Sequence, residues 1–436
     1  MLFFLSVLFL CLICVVLFYD YYLSKDKFSA VKLVSYFSFI EAFSLLWFSL
    51  RRESLDLYVT SPIDSSLVRD EYIVEAYFMS IVIYFFIVSG VFSFNYLFKI
   101  KEKIVLRLNS FGFEVGLIDG FLILFFGFIL YFIFLAKIGG FLNLWGDISE
   151  RTTLSAGLGY YQYLYTLFIY IGCSICYVFF VKNKKYLLAA LLILLCSLVM
   201  ASLGQRSPLA LLFFTLILVH HYHVKAFESV FNFKLIIISI FLVVFMFSFV
   251  QLRPNQGDIP FLDKFERDVL QRLSGTDSKV AVIGYFDKHD YWGWGVYESL
   301  LYAPISSVYY EKKPPVDTGV YINTIRQGFE ITPPLPAKSV DRTSWPDGVL
   351  AGYTSFGYLG LIFISFLSGG LYGFIYNFLI NLRRFLPITV MYSFVGFMGA
   401  LPLSPFGVVS FCMAMLSFLL VILLVKIRLF FSRRII

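Results

Sequence analysis

The stretch KNKKYLLAALLILLCSLVMASLGQRSPLALLFFTLILVHHYH, residues 182–223, decides the fold. A basic cluster, Lys182-Asn-Lys184-Lys185, leads into an apolar run near 186–203. Gly204-Gln-Arg206-Ser-Pro208 interrupts it, and a second apolar run fills 207–222. Each run is long enough to cross a hydrocarbon layer as a helix. So short an interruption makes them neighbours joined by a tight turn, with an arginine lodged in it.

Similar runs recur along the chain near 2–19, 29–50, 72–98, 117–137, 160–181, 234–251, 354–380, 386–402 and 405–425. Hydrophobic residues make up 60% of the sequence and charged ones 14%, against about 25% charged in a soluble domain. The expectation is an all-α polytopic integral membrane protein with about eleven transmembrane helices. Residues 1–251 carry helices one to eight, 252–352 form one large loop, and 353–436 carry helices nine to eleven and a basic tail. Met1 to Asp20 lacks a basic leader and a small-residue cleavage site, so it reads as a retained first helix.

Orientation follows from the basic clusters. Lys99-Ile-Lys101-Glu-Lys103, Lys182–Lys185, Arg383-Arg384 and Lys426 to Arg434 belong on the cytoplasmic side. Alternation then puts the long loop outside and the C-terminus inside, with Arg51-Arg52 the one basic pair left outside. The net charge of +7 reports this bias and implies no nucleic-acid partner. All six cysteines lie in apolar spans; the C-x-x-C pairs Cys11/Cys14 and Cys173/Cys176 lack polar surroundings and read as buried small residues.

The long loop holds eleven of the 35 Lys and Arg residues and nine of the 14 prolines. Loops of that length inside compact proteins are usually functional. Phe261 to Leu273 repeats at helical spacing with charges between, as an interfacial helix does. Val296 to Tyr310 reads as a second helix, interfacial or re-entrant. Pro314-Pro315 and Pro333-Pro334-Leu-Pro336 force extended backbone.

Arginines are the main chemical signal on that side: Arg151, Arg206, Arg253, Arg272, Arg326 and Arg342. The guanidinium fork matches phosphate oxygens bidentately; the plainer alternative for each is snorkelling, least open to Arg206 in its tight turn. The acids there include Asp277 and Asp347, and His289 is the one histidine on that side. No D-x-D metal signature occurs, and no metal or other cofactor is expected. Trp292, Trp294 and Trp345 offer flat apolar faces with a polar edge, suited to sugar rings or to loop packing. His220-His221-Tyr-His223 ends a span with no cysteine and a single acid nearby, and reads as a polar cap rather than a metal site.

Asp347-Gly-Val-Leu-Ala-Gly352-Tyr-Thr-Ser-Phe-Gly357-Tyr-Leu-Gly360 places an acid just before a glycine-rich helix. Together with the Gly-x-Arg turn at Gly204–Arg206 and the arginine-rich loop, this resembles the Wzy-type polymerases of O-antigen and capsular repeat units. The Arg-x10-Gly pattern of some members is offset, with nine residues between Arg342 and Gly352.

The resemblance implies a GT-C-like, metal-independent glycosyltransferase in the bacterial plasma (inner) membrane. Its donor and acceptor would be undecaprenyl-pyrophosphate-linked oligosaccharides, and its partners membrane lipids, a chain-length regulator and a flippase. Asp347 would act as base, with Asp277 and His289 behind it. Arg206 and Arg272 join that catalytic group. Arg151, Arg253, Arg326, Arg342, Trp292, Trp294 and Trp345 would bind substrate. The alternatives are an O-antigen ligase-type transferase, and a lipid-linked oligosaccharide flippase or other transporter, which should show charges at mid-membrane.

Overall fold

The computed structural model describes residues 1–51, 67–97, 115–140, 157–202, 206–228, 270, 274–305, 310, 312–340, 344–345, 348–382, 385–397 and 403–432. Among these there is no strand. The helices are α1 (Leu2–Leu23), α2 (Ala30–Leu50), α3 (Asp70–Leu97), α4 (Leu117–Lys137), α5 (Gly159–Lys182), α6 (Tyr186–Ser202), α7 (Arg206–Val219), α8 (Thr276–Phe286), α9 (Ser299–Tyr302), α10 (Thr318–Arg326), α11 (Leu350–Asn381), α12 (Leu386–Phe397) and α13 (Pro405–Ser432). A π-helical turn, His220–Val224, ends α7.

Eight helical stretches are long and apolar enough to cross a membrane, and α6 and α12 are shorter apolar helices. The expected span at 234–251 lies outside the described residues. Phe4, Phe18, Phe125, Phe132, Leu187 and Leu419 are each more than half exposed on these helices. Apolar side chains turned outward along so many helices are what a lipid surround selects.

The chain divides into two compact units. The first comprises Met1–Phe98, Gly257–Phe374 and Met398–Val409. Here α1 and α2 form a hairpin closed by buried polar groups: Ser29 Oγ donates to Asp20 at 2.7 Å, and Lys32 Nζ lies 3.2 Å from the same carboxylate. Ser29 also caps α2, accepting from the Lys32 amide. On another side α3 meets α11 with almost no space between the backbones. A Cβ on Gly90 would collide with the Phe366 carbonyl, and one on Gly369 with the Ile87 carbonyl. Small residues allow membrane helices such an approach.

The second unit comprises Lys99–Gln256, Ile375–Phe397 and Ser410–Ile436. Its most extensive pair is α4 against α5. Hydroxyl pairs stitch it further: Tyr131 with Ser202 and Thr215 with Ser393, both at 2.7 Å. Arg428 Nε stands 3.0 Å from the buried Asp119, which also caps the start of α4 through the Gly116 amide.

Several expectations are corrected. Cys173, Cys176 and Cys196 are buried, but Cys11, Cys14 and Cys412 are exposed, on outward faces of apolar helices. Of Val296 to Tyr310, only Ser299–Tyr302 is α-helical among the described residues. From the expected interfacial segment Leu270 alone is described, packed on Phe48 with Trp47 against it.

Gly369→Leu should lower the thermal unfolding midpoint in detergent, because overpacking a close contact costs about 1–3 kcal/mol. Phe132→Leu, on an exposed face of α4, serves as the control and should leave it unchanged. Equal midpoints for the two variants would refute the close packing of α3 on α11.

Candidate functional site

The polar residues with chemistry to offer gather in the first unit, around the N-terminal half of α3. The long segment after residue 252 does not simply lie over the helices. Its helix α8 runs antiparallel beside α3, with Lys279 at Ser80 and Asp287 at Tyr72. Every residue of α8 is buried. Ser80 lies ten residues beyond Asp70, about 15 Å along the helix, so α8 packs beside the interior of α3 rather than at its tip.

Lys279 is the anchor. Its Nζ donates to Glu41 Oε1 at 2.5 Å, to Ser80 Oγ at 2.6 Å and to the Ser274 carbonyl at 3.0 Å. Three donors meet three acceptors, the condition for keeping an ammonium in an apolar surround. The polar start of α8 explains its seating: Gly275 takes a left-handed φ of 57° before Thr276. Asp277 is buried in the first turn, where the helix dipole favours an acid.

A second feature is a break in α11. Phe356 (φ −142°, ψ 21°) and Gly357 (φ 64°, ψ −148°) leave the helical region. Glycine is required there, because a positive φ next to the Tyr291 ring leaves no place for a Cβ. The carbonyls of Thr354 and Ser355 instead accept from the amides of Trp292 at 2.9 Å and Gly293 at 3.0 Å. The loop therefore replaces hydrogen bonds that a continuous helix would make itself. Broken helices in membranes line binding sites. Facing this one, Tyr358 donates to Glu75 Oε1 at 2.9 Å, with Tyr353 beside Tyr358 and Tyr291 beside Tyr353.

The third feature is α10, buried throughout. Asp317 caps it through the Gly319 amide at 2.9 Å. Burial pushes the Asp317 carboxyl above its usual range, opposed by hydrogen bonds from Ser344 and Gly319. The Trp345 amide donates to the Gly319 carbonyl at 3.1 Å, so residues 344–345 lie along the helix. At its far end the Arg326 guanidinium stacks 3.5 Å from the Trp345 ring centroid, a close cation–π contact. Arg326 is 3% exposed. Burial also pushes the Tyr321 phenol up to about 12, so it stays neutral.

His289 stacks on Tyr285 with centroids 4.2 Å apart, and its Nδ1 donates to the Tyr285 carbonyl at 2.8 Å. Its Nε2 lies 3.3 Å from the exposed Glu330. Trp292 is packed among Tyr285, Phe286 and Tyr321, with its indole N–H on the Ile331 carbonyl. Trp294 is 70% exposed, over Phe356 at the helix break.

Asp277, His289, Trp292, Trp294, Arg326 and Trp345 thus share one unit, with Arg326 and Trp345 in direct contact. Arg151, Arg253, Arg272, Arg342 and Asp347 lie outside the described residues, and Arg206 is described only as the first residue of α7. Glu41, Glu75 and Lys279 were not singled out by the sequence. The one available signal was an acid or lysine inside an otherwise apolar stretch, which by default marks function.

The histidine cluster holds no metal-like group. His220 Nδ1 lies 2.9 Å from the Tyr177 hydroxyl, His223 Nε2 lies 2.7 Å from Thr389, and His221 Nδ1 accepts from the Phe227 amide. Among the described residues no His, Cys, Asp and Glu set could hold a metal ion. No family model, no characterised protein and no solved structure matches this chain.

Lys279→Met should destabilise the protein, since it leaves the partly buried Glu41 without its cation and takes a donor from Ser80 and from the Ser274 carbonyl. Adding Glu41→Gln should restore most of the unfolding midpoint in detergent. A single variant as stable as wild type would mean that the pair is solvated.

Proposed function

We propose that the chain polymerises lipid-linked oligosaccharide repeat units. It would act as a GT-C-like, metal-independent glycosyltransferase with about eleven membrane-crossing helices in the bacterial plasma membrane. The growing glycan passes from undecaprenyl pyrophosphate to a sugar hydroxyl of the next lipid-linked unit, at the outer face. A chain-length regulator and a flippase are the partners this reaction calls for.

The observation that carries this reading is convergence. Helix α8 and the broken α11 both reach the N-terminal half of α3, and between them bring carboxylates, phenols and aromatic faces beside it. Glycosyl transfer to a hydroxyl needs a proton acceptor, cations for the departing pyrophosphate, and surfaces that hold sugar rings. Trp294 and the Arg326–Trp345 stack supply ring faces and a buried cation. Arg206, Arg253, Arg272, Arg151 and Arg342 are assigned to the pyrophosphate or the acceptor, on the argument that a planar fork fits phosphate. Asp347, Asp277 and His289 are the acids and base the sequence offers for the proton.

The Glu41–Lys279 pair favours a second reading, a carrier of lipid-linked glycans, because charges deep among membrane helices often line a translocation path. Lipid-linked glycans in cells lacking the protein separate the possibilities. Single repeat units, exported and attached normally, are expected for a polymerase. Long chains stranded on the carrier lipid would indicate a ligase, and the absence of outer-leaflet glycan a flippase; either would overturn the proposal.

The long loop belongs outside and the Lys182–Lys185 turn inside. With the native cysteines replaced, Glu330→Cys should react with an impermeant thiol reagent in intact cells (after permeabilising any outer membrane), and Asn183→Cys should be protected. The reverse pattern would invert the topology and remove the site from the outer face.

A further inference from the structure

The acids within the described spans are not treated alike. Asp20 holds Lys32, Glu41 holds Lys279 and Asp119 holds Arg428. Glu75, five residues into α3, has no ion-pair partner among the described residues. Its Oε1 accepts from the Tyr358 hydroxyl at 2.9 Å, and its Oε2 has no hydrogen-bond partner among the described residues. An acid without a cation inside a helix long and apolar enough to cross a membrane marks a functional site by default. Its partner Tyr358 belongs to the one broken helix among the described residues, one residue beyond the non-helical Phe356–Gly357 pair. Next to that break Ser355 is 1% exposed, and its hydroxyl has no hydrogen-bond partner among the described residues. Trp294, exposed over Phe356, offers a sugar-sized face at the same place. An acid, an unsatisfied hydroxyl and an exposed aromatic ring each belong to or touch residues 355–358, where the backbone is already diverted from helical bonding.

We propose that Glu75 is the general base of the transfer reaction and that the break in α11 is the acceptor-sugar subsite. This rests on the polymerase reading and assigns its proton acceptor to Glu75 rather than to Asp347. The Glu75 carboxylate takes the proton of the acceptor hydroxyl as that oxygen bonds to the anomeric carbon of the donor. The anomeric carbon–phosphate oxygen bond breaks, and its electron pair leaves with polyprenyl pyrophosphate. The proton then passes from Glu75 to water. Tyr358 is a positioning residue: its hydrogen bond on Oε1 turns Oε2 towards the acceptor.

The test uses the purified full chain in liposomes, with lipid-linked repeat units extracted from cells lacking the protein, and follows elongation rate against pH. Wild-type protein that does not elongate defeats the polymerase reading itself. If wild type elongates, Glu75→Gln should slow the reaction by ~10²–10⁴-fold and abolish the acidic limb of the pH profile, with KM little changed. Wild-type rate and pH profile in Glu75→Gln would overturn the assignment, as would loss of the acidic limb in Asp347→Asn alone. Should Glu75→Gln fail to fold, Glu75→Asp decides. A slower enzyme that keeps the acidic limb supports the base role, and an undiminished rate overturns it.

Discussion

An ammonium group cannot stay charged among apolar helices unless each of its donors finds an acceptor, and Lys279 meets that condition with atoms from three separate parts of the chain. Glu41 comes from α2, Ser80 from α3, and the Ser274 carbonyl from the turn into α8 itself. The pairing fixes the depth and direction of α8. With α8 fixed, Asp287 reaches Tyr72 at 2.6 Å, Tyr285 reaches the Ile331 backbone, and α10 packs against α8. A single polar constraint thus turns a proline-rich segment into part of the helical unit.

The break in α11 follows from the same arrangement. An uncapped break among apolar helices would strand two carbonyls, at a cost comparable to lost hydrogen bonds. The Trp292 and Gly293 amides arrive because α8 ends at Phe286 and sends the chain back over α11. Trp292 is held in turn by Tyr285, Phe286 and Tyr321. Its role is to present a backbone edge, while its neighbour Trp294 stays exposed. Two tryptophans a single residue apart therefore do different work, a distinction set by which way the chain turns at Gly293 with φ of 56°.

The spanning helices were legible because long apolar runs have few alternatives. Residues 117–137, for instance, form α4 with the same bounds. Helix α8 was not legible. It is eleven residues long, is entered through Ser274-Gly275 and begins Thr-Asp-Ser, and its lysine reads as solvated until residues some two hundred positions away are brought to it. Glu75 was hidden for a related reason: within Asp70–Leu97 it looks like one more acid of the helix start, and only its partial burial and its bond to Tyr358, 283 positions away, set it apart from the exposed Asp70 and Glu71. Arg326 and Trp345 were each legible as residue types, yet their stacking depends on the Trp345 amide meeting Gly319, a contact without sequence signature.

The same geometry bears on whether deep charge signals transport. A group that relays ions or moves a substrate must exchange partners, so its bonds in any one state are incomplete or its partners interchangeable. Lys279 has three donors and three acceptors, two of them side chains on different membrane helices. Withdrawing it would leave Glu41 and Ser80 unsatisfied together, with no second cation bonded to Glu41 among the described residues. That is the behaviour of a strut. Glu75 has the opposite character: one hydrogen bond, from a phenol, and no compensating charge among the described residues. Within one unit the fold therefore separates a charge committed to holding backbone in place from a carboxylate left with an open oxygen near the start of a helix.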